Sequence, residues 1–498
     1  MAFGTVNVPG IQVPVSVKDG GTGQNTAPKA LYALANDTSA LVSSDLAGND
    51  FIPVGDASAE TAKKITVTDL KVAIGLGFKL RIIFEDAFAG KSYSVTGGSE
   101  SYTGTVPAGL TDIITVGAAN TTYKISATAA DRKTYSTLIT TGPKEGQYEA
   151  ELRTVHIYGA SWDGTSTTKW MRTDEAAGFT DPVPYMSSIS NYGSPFDSLQ
   201  PWSSMVKSER AGGTMVAIPK FWYKLTQNGT GMKVQIADKA TMGFSVSPAH
   251  MDRRDGKGER SVVYIGRYHC GVMAYKSVSG EKPKVSITRS TAYTEIHKIG
   301  TSIWQADFAL RFTLWLLYIV EFADWDSQTK IGYGCGNNSA TENMGYTDSM
   351  PYHTGTTQSS RTIYGLGTQY RYIEGLWDNV YDWCDGCYNN SDGLNIILNP
   401  NNFSDSANGM SVGVPSNGMP SAFGVKNESC FPLFIPTAAI NGSTTTYSCD
   451  TWGFDSSSPC ICVGGYYDQR TTHGLFYVNK YGVSVSNTFN GCRLQELP

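Results

Sequence analysis

The stretch VGGYYDQRTTHGLFYVNKYGVSVSNTFNGCRLQ, residues 463–495, decides how the whole chain is read. Tyr466, Tyr467, Phe476, Tyr477 and Tyr481 are interleaved there with Asp468, Gln469, Arg470, Thr471, Thr472, His473, Asn479 and Lys480, in neither the strict alternation of a strand nor the period of a helix. Phe476 with Val478, and Val483 with Val485, are spaced like inward-facing strand residues. The loop 466–473, with Tyr477, Asn479 and Tyr481 turned outward, reads as a contact surface. Tyrosine supplies a large, stiff, amphipathic face at low rotamer-entropy cost, and Ser, Thr, Asn and Gly beside it supply adaptable hydrogen bonds. Aromatic faces also stack on sugar rings while amides and carboxylates meet hydroxyls, so the expected ligand is a glycan or a surface protein.

Upstream of that stretch, YRYIEGLWDNVYDWCDG (370–386) sits in loop-rich sequence. Phe308, Phe312, Trp315, Ile319 and Phe322 recur at helical spacing and predict a helix that packs one apolar face on the core, with Trp304 and Trp325 near its ends. The apolar run 303–320 contains Gln305, Asp307 and Arg311, which a bilayer would reject, so it predicts a buried helix and no membrane insertion. MVAIPKFWYKL (215–225) and SVVYIGRYHCGV (261–272) each read as a strand.

No Pro/Gly/Ser linker divides the chain after Arg153, so 153–498 reads as one large domain. Residues 77–152 alternate apolar and polar in short runs such as KLRIIFED, TDIITVG and TTYKISAT, predicting a small β-sandwich of the seven-stranded type. Within it Gly90-Lys91-Ser92 mimics the end of a phosphate loop, but Glu85 stands where that motif needs Gly, so the segment reads as a turn. Residues 1–76 are rich in Gly, Ala, Thr and Ser with two weak helical stretches, 27–35 and 66–74, and are expected to gain order from a partner or an oligomer. The expected fold class is therefore mainly β, with an α+β C-terminal domain.

Composition narrows the function. A net charge of −5 with 17% charged residues provides no basic field for nucleic acid or anionic lipid. The N-terminus has no basic and apolar leader pattern, and nine cysteines, eight of them after Thr301, form no compact disulfide framework, so free thiols are expected. The six histidines are scattered, with neither HExxH nor GxSxG. Cys384 and Cys387, with Cys460 and Cys462, could together ligate zinc. Asp378, Asp382, Asp385 and Asp392, with Asn379, Asn389 and Asn390, form an oxygen-rich loop region that suits a structural calcium ion or is simply solvated.

Five pieces occur in a telling order: IPKFWYK, VYIGRY, VEFADWDSQTKIGYG, YRYIEGLWDNVYDWCDG, and GGYYDQ…GLFYVN…NTFNGCRL. This series resembles phage and prophage tail proteins that carry a C-type-lectin domain of the formylglycine-generating-enzyme (sulfatase-modifying) type. The resemblance covers most of 200–498. It implies a scaffold in which Gly464, Gly465, Gly491 and Arg493 hold the C-terminal segment on an exposed face, for recognition or for chemistry. Its oxidase members need two cysteines in the loop after the Gly-Gly pair, and 466–474 has none. What it implies instead is a phage tail fibre or tip adhesin, located in the virion and binding a bacterial surface glycan or protein. DGGTGQNTAPKALYALAN (19–36) and LAGNDFIPVGDASAETAKKITVTDLK (46–71) resemble elements of phage tail fibres, which implies that 1–76 attaches to tail or baseplate proteins and helps form a homotrimer. Residues 77–152 resemble immunoglobulin-like spacer modules. The alternatives are a structural baseplate or fibre-decorating protein, and then an oxidase.

Overall fold

A computed structural model describes residues 77–498 apart from 366, 428 and 429, together with the backbone of two short hairpins, Val6–Val8 with Ile11–Val13 and Phe51–Gly55 with Ala62–Thr66. The helices expected over 27–35 and 66–74, and the attachment and trimerisation role of 1–76, fall outside the described residues, except that Thr66 ends a strand. The protein is mainly β, 37% strand and 10% helix. It divides into two compact units, 1–154 and 155–498.

Seven strands make up the described part of the first unit: β1 (Phe78–Phe84), β2 (Ser92–Gly97), β3 (Glu100–Thr105), β4 (Thr111–Val116), β5 (Thr122–Thr128), β6 (Thr134–Thr140) and β7 (Gln147–Leu152). They form a four-stranded sheet, β6-β5-β2-β3, and a three-stranded sheet, β7-β1-β4, in which β7 runs parallel to β1. Alternation produces the core directly. Phe78, Leu80, Ile82 and Phe84 of β1 and Tyr123, Ile125 and Ala127 of β5 all point inward. The Gly90-Lys91-Ser92 segment is the turn into β2, with Gly90 at a φ of +67°.

The strands that place the site in the second unit are β8 (Ile157–Trp162), β9 (Met171–Asp174), β10 (Lys207–Arg210), β11 (Gly213–Pro219), β12 (Trp222–Asn228), β13 (Gly231–Ala237), β14 (Ser245–Val246), β15 (Val262–Gly266), β16 (Ile303–Gln305), β17 (Tyr381–Cys384), β18 (Cys460–Val463), β19 (Val478–Tyr481), β20 (Asn490–Cys492) and β21 (Leu494–Glu496). The helices are α1 (Arg289–His297), α2 (Phe308–Phe322) and α3 (Ser327–Ile331). Two five-stranded sheets have the orders β9-β8-β13-β12-β14 and β10-β11-β15-β21-β16, and a four-stranded sheet has the order β19-β18-β17-β20. The chain's end ties two of these sheets together. β20 lies parallel to β17, and β21 then inserts between β15 and β16.

Three expectations need correction. The buried helix expected over 303–320 begins only at Phe308, because Ile303–Gln305 form β16, and all fifteen residues of α2 are buried. Most of its polar groups find partners: Arg311 donates to the Leu376 and Leu475 carbonyls, Thr313 bonds the Ala309 carbonyl and the Ala249 N–H, and Glu321 accepts from Tyr370 and Arg371, while the Tyr318 hydroxyl and Arg311 Nε are buried without one among the described residues. Asp307 caps its start, accepting from the Leu310 N–H at 2.8 Å. The segment 215–225 is two strands in different sheets, because Pro219 has no N–H for the ladder and ends β11. The segment 261–272 stops being strand at Gly266, where the Arg267 guanidinium turns away to Gln369 and the Tyr372 carbonyl. Among the described residues no helix is long and apolar enough to cross a membrane.

Candidate contact surface

The scaffold beneath residues 463–495 centres on Arg493, which is 1% exposed. Its Nε bonds Asp382 at 2.9 Å, and its terminal nitrogens donate to the carbonyls of Gly266, Arg267, Glu374 and Gly375. One guanidinium thereby joins β15, β17, the 374–375 segment and the C-terminal strand. Asp382 also contacts His269 at 2.7 Å. Burial alone would raise the Asp382 carboxyl, but His269 and Arg493 outweigh it and hold it well below the usual carboxylate range. Gly464 has a φ of +79°, and a Cβ there would stand 2.5 Å from the Leu376 carbonyl oxygen. The turn out of β18 therefore has room for glycine alone.

Beyond that turn the loop is pinned at several backbone points. Asn338 N–H donates to Tyr467 O at 2.5 Å, Arg470 N–H to Gly336 O at 2.8 Å, Tyr467 N–H to Asn379 O at 3.2 Å, and the Gln328 amide to Arg470 O at 2.9 Å. Asp468, Arg470 and Thr472 are exposed, while Tyr466, Tyr467, Gln469, Thr471, Asn479 and Tyr481 are half-buried. His473 and Tyr477 are buried, which corrects their expected place on the contact surface. His473 lies against Gly465, where a Cβ would come within 2.1 Å of its ring, and neither ring nitrogen has a partner of good hydrogen-bond geometry. Burial pushes its pKa down to about 4, with a weak opposing pull from the Gln469 carbonyl. The Tyr477 ring lies at 8° to Tyr381 with centroids 5.6 Å apart, its hydroxyl meets that of Tyr381 at 3.0 Å, and it accepts from Gln469 at 2.6 Å.

Core packing claims part of the other aromatics as well. Tyr466 stacks on Phe489 at 4.5 Å, and both Tyr466 and Tyr481 touch Tyr381. Phe476 and Val478 do point inward, but Val483 is 52% exposed, because β19 ends at Tyr481 and the chain bends before the expected alternation reaches it. The displayed set thus contracts to the tip 467–472 with the edges of Tyr466, Asn479 and Tyr481. Sequence reasoning missed its neighbours Asn337 and Asn338 and the Tyr333–Tyr364 ring pair, 5.1 Å apart and within electrostatic reach of Arg470. They come from distant segments, and no local pattern announces them.

The acidic loop proves to be interior. Asp378 accepts from the Thr368 N–H and hydroxyl and from Tyr346; Asp385 is bonded by Arg289, and its carboxyl is pushed up to about 6 by burial despite that guanidinium. Asp392 alone of the four is exposed, so solvated loop carboxylates do not describe the group. Because each buried carboxylate is already engaged separately, the oxygens do not converge as a calcium shell requires. Among the described residues no group of three or more His, Cys, Asp or Glu side chains is arranged to hold a metal ion, and this applies to Cys384, Cys387, Cys460 and Cys462 as much as to the aspartates. All nine cysteines are free and buried, and burial pushes the thiols of Cys335, Cys387 and Cys462 upward.

No protein-family model matches this chain, and no curated protein is significantly similar to it. The chemistry available at the surface follows from its groups. A short loop with a carboxylate, a guanidinium, hydroxyls and tyrosine edges can recognise a polar partner, and it carries no thiol or metal-ligand set for covalent work.

Proposed function

We propose that this protein is an attachment protein of a bacteriophage tail, a fibre or tip adhesin that holds the virion to a bacterial surface glycan or protein through its second unit. One observation carries the reading: exposed Asp468, Arg470 and Thr472, with the edges of Tyr466 and Tyr467, stand on a loop whose backbone is fixed to a buried base. Preorganisation of this kind lowers the ordering cost of binding and leaves side-chain identity at the tip free to set specificity. The ordered motifs that resemble lectin-type tail proteins supply the biological setting. The finer architecture belongs to the same proposal, with the seven-stranded first unit as an immunoglobulin-like spacer, the second as a C-type-lectin-like domain of the formylglycine-generating type, and 1–76 as the segment that attaches and trimerises. Several weak sites on one fibre would reinforce each other through effective concentration.

The test uses the purified full-length protein, fluorescently labelled, on candidate host bacteria. It is expected to label the cells and to block infection, and the triple change Tyr467→Ala, Asp468→Ala, Arg470→Ala to remove both effects without lowering the melting temperature. Absence of labelling, with infectivity unchanged when the triple change is carried in the virion, rejects the adhesin and favours a structural baseplate or fibre-decorating role.

A further inference from the structure

A second surface of the same unit carries a continuous row of rings. Tyr185, Tyr192, Tyr352, His353 and Tyr372 follow one another with centroid separations of 5.4, 5.1, 4.0 and 5.5 Å, and every one of them is half-buried. The central three are tilted to one another by 35° and 37°, and the two end pairs meet edge-on at 74° and 64°. Lys207 is exposed and closes one end, its ammonium 5.2 Å from the Tyr372 centroid.

The row is held rigidly from below. Asp197 accepts from the Tyr352 hydroxyl at 2.7 Å, contacts His353 Nε2 at 2.9 Å and pairs with Arg371 at 3.2 Å, so the carboxylate under the row is committed and adds no free negative charge to it. The backbone of 183–193 is attached through Tyr185 N–H to Thr354 O and Thr356 N–H to Tyr185 O, both at 2.9 Å.

Tyr372 is present against the local preference of the backbone. Tyr370 pairs with Ile373, which leaves Arg371 and Tyr372 as a two-residue turn with φ of 45° and 69°. Such turns call for Asn-Gly, and side chains in both central positions are strained. Arg371 has a structural reason to be there, since it bonds Glu321 at 2.6 and 2.9 Å in the core. The Tyr372 side chain is half-buried, packing partly against the core, and its ring lies along the row. Strain retained at a position whose side chain also joins a partly exposed row points to function at that surface.

From this geometry we infer that the row binds an extended polysaccharide strand, its sugar rings packing on the aromatic surface left exposed along the row, with Lys207 meeting the carboxylate of an acidic sugar at its end. Aromatic groups repeated at 4.0 to 5.5 Å offer a polymer several apolar contacts in series, and the exposed Ser187, Ser188, Ser190 and Asn191 beside Tyr192 supply groups that pair with hydroxyls. A proline-rich peptide, the other polymer that aromatic rows accept, needs ring donors for its carbonyls, and the Tyr352 hydroxyl is already given to Asp197. The surface shares no residue with the 467–472 tip, so it stands whether or not that tip is a receptor site.

The test is affinity electrophoresis of the full chain in native gels containing alginate, xanthan, polygalacturonate, galactomannan or dextran. At least one acidic polymer should retard the protein. Tyr192→Ala and Tyr372→Asn should each weaken retardation at least tenfold, Lys207→Gln should weaken it for acidic polymers only, and the Tyr467→Ala, Arg470→Ala double variant should leave it unchanged. Asn tolerates the left-handed backbone, so Tyr372→Asn should melt no lower than the parent, which separates lost binding from lost fold. No retardation by any polymer, or retardation that survives Tyr192→Ala with Tyr372→Asn, overturns the inference. So does binding of a polyproline peptide that depends on the same residues in the absence of retardation.

Discussion

Arg493 shows how much one side chain can decide. It satisfies four carbonyls and one carboxylate from otherwise separate segments, all of them away from water. Arg493→Ala strands the buried Asp382 carboxylate, and removing one partner of a buried pair costs about 3–5 kcal/mol. The expected result is a lower denaturation midpoint with little change in slope, and Arg493→Lys should recover only part of it because one ammonium cannot fork to so many acceptors. Buried titratable groups also set a pH profile of opposing slopes. His473 and His250 have folded pKa values pushed down to about 4 by burial, below the ordinary histidine value of 6.5, so the stability they permit is complete above 6.5 and is lost as pH falls toward 4. Glu374 and Asp385 have folded values raised by burial to about 7 and about 6, so their contribution is complete below the ordinary carboxylate range and is lost as pH rises through those values. Each group is worth roughly 3 kcal/mol at most, and between pH 4 and 7 the two pairs pull in opposite directions. Each substitution is therefore read against the parent's own stability curve. His473→Gln should tilt it downward with rising pH and Glu374→Gln upward, both readable from urea midpoints across that range; equal curves for all three proteins would refute this account.

At the scale of elements, the two-residue turn at Arg371 and Tyr372 offers the sharpest test. Glycine adopts a φ of 69° without the penalty that a Cβ brings, so Tyr372→Gly should stabilise the protein by about 1 kcal/mol. A melting temperature below the parent's would mean that the packing of the half-buried ring against the core outweighs the relief of strain. The turn also marks where sequence reading stops. The predominance of strand was legible from composition and alternation, and α2 was legible because its aromatics recur at helical spacing. Its burial was legible too, but the partners of Arg311 and Glu321 were not, since Leu376, Leu475 and Arg371 lie far away in the chain. The tip Asp468–Thr472 could be located from its mixed polar sequence, whereas Tyr477 could not be assigned inward without knowing that Tyr381 lies under it. A motif read in one dimension does not reveal which side chains share a face.

Among the described residues the buried side chains form three clusters, one in the first unit and two in the second. The first unit is small, and small domains bury a low fraction of their surface and so are the less stable partners in a chain. Its core depends on side chains such as Leu80, which is 0% exposed between the two sheets. Leu80→Ala removes contacts worth about 2–5 kcal/mol including the cavity left behind. In a domain of this size that amounts to a fall of roughly 10 °C or more in its own transition. The second unit, with its central helix and, among the described residues, six sheets, has far more apolar surface in reserve and should unfold separately. Calorimetry of the intact protein is therefore expected to resolve two transitions. Leu80→Ala should lower the earlier one alone and Arg493→Ala the later one alone, with the double variant additive, as independent sites are. A single transition that both substitutions move together would mean that the two units fold as one cooperative body, and the second unit could then not be loosened without loosening the first.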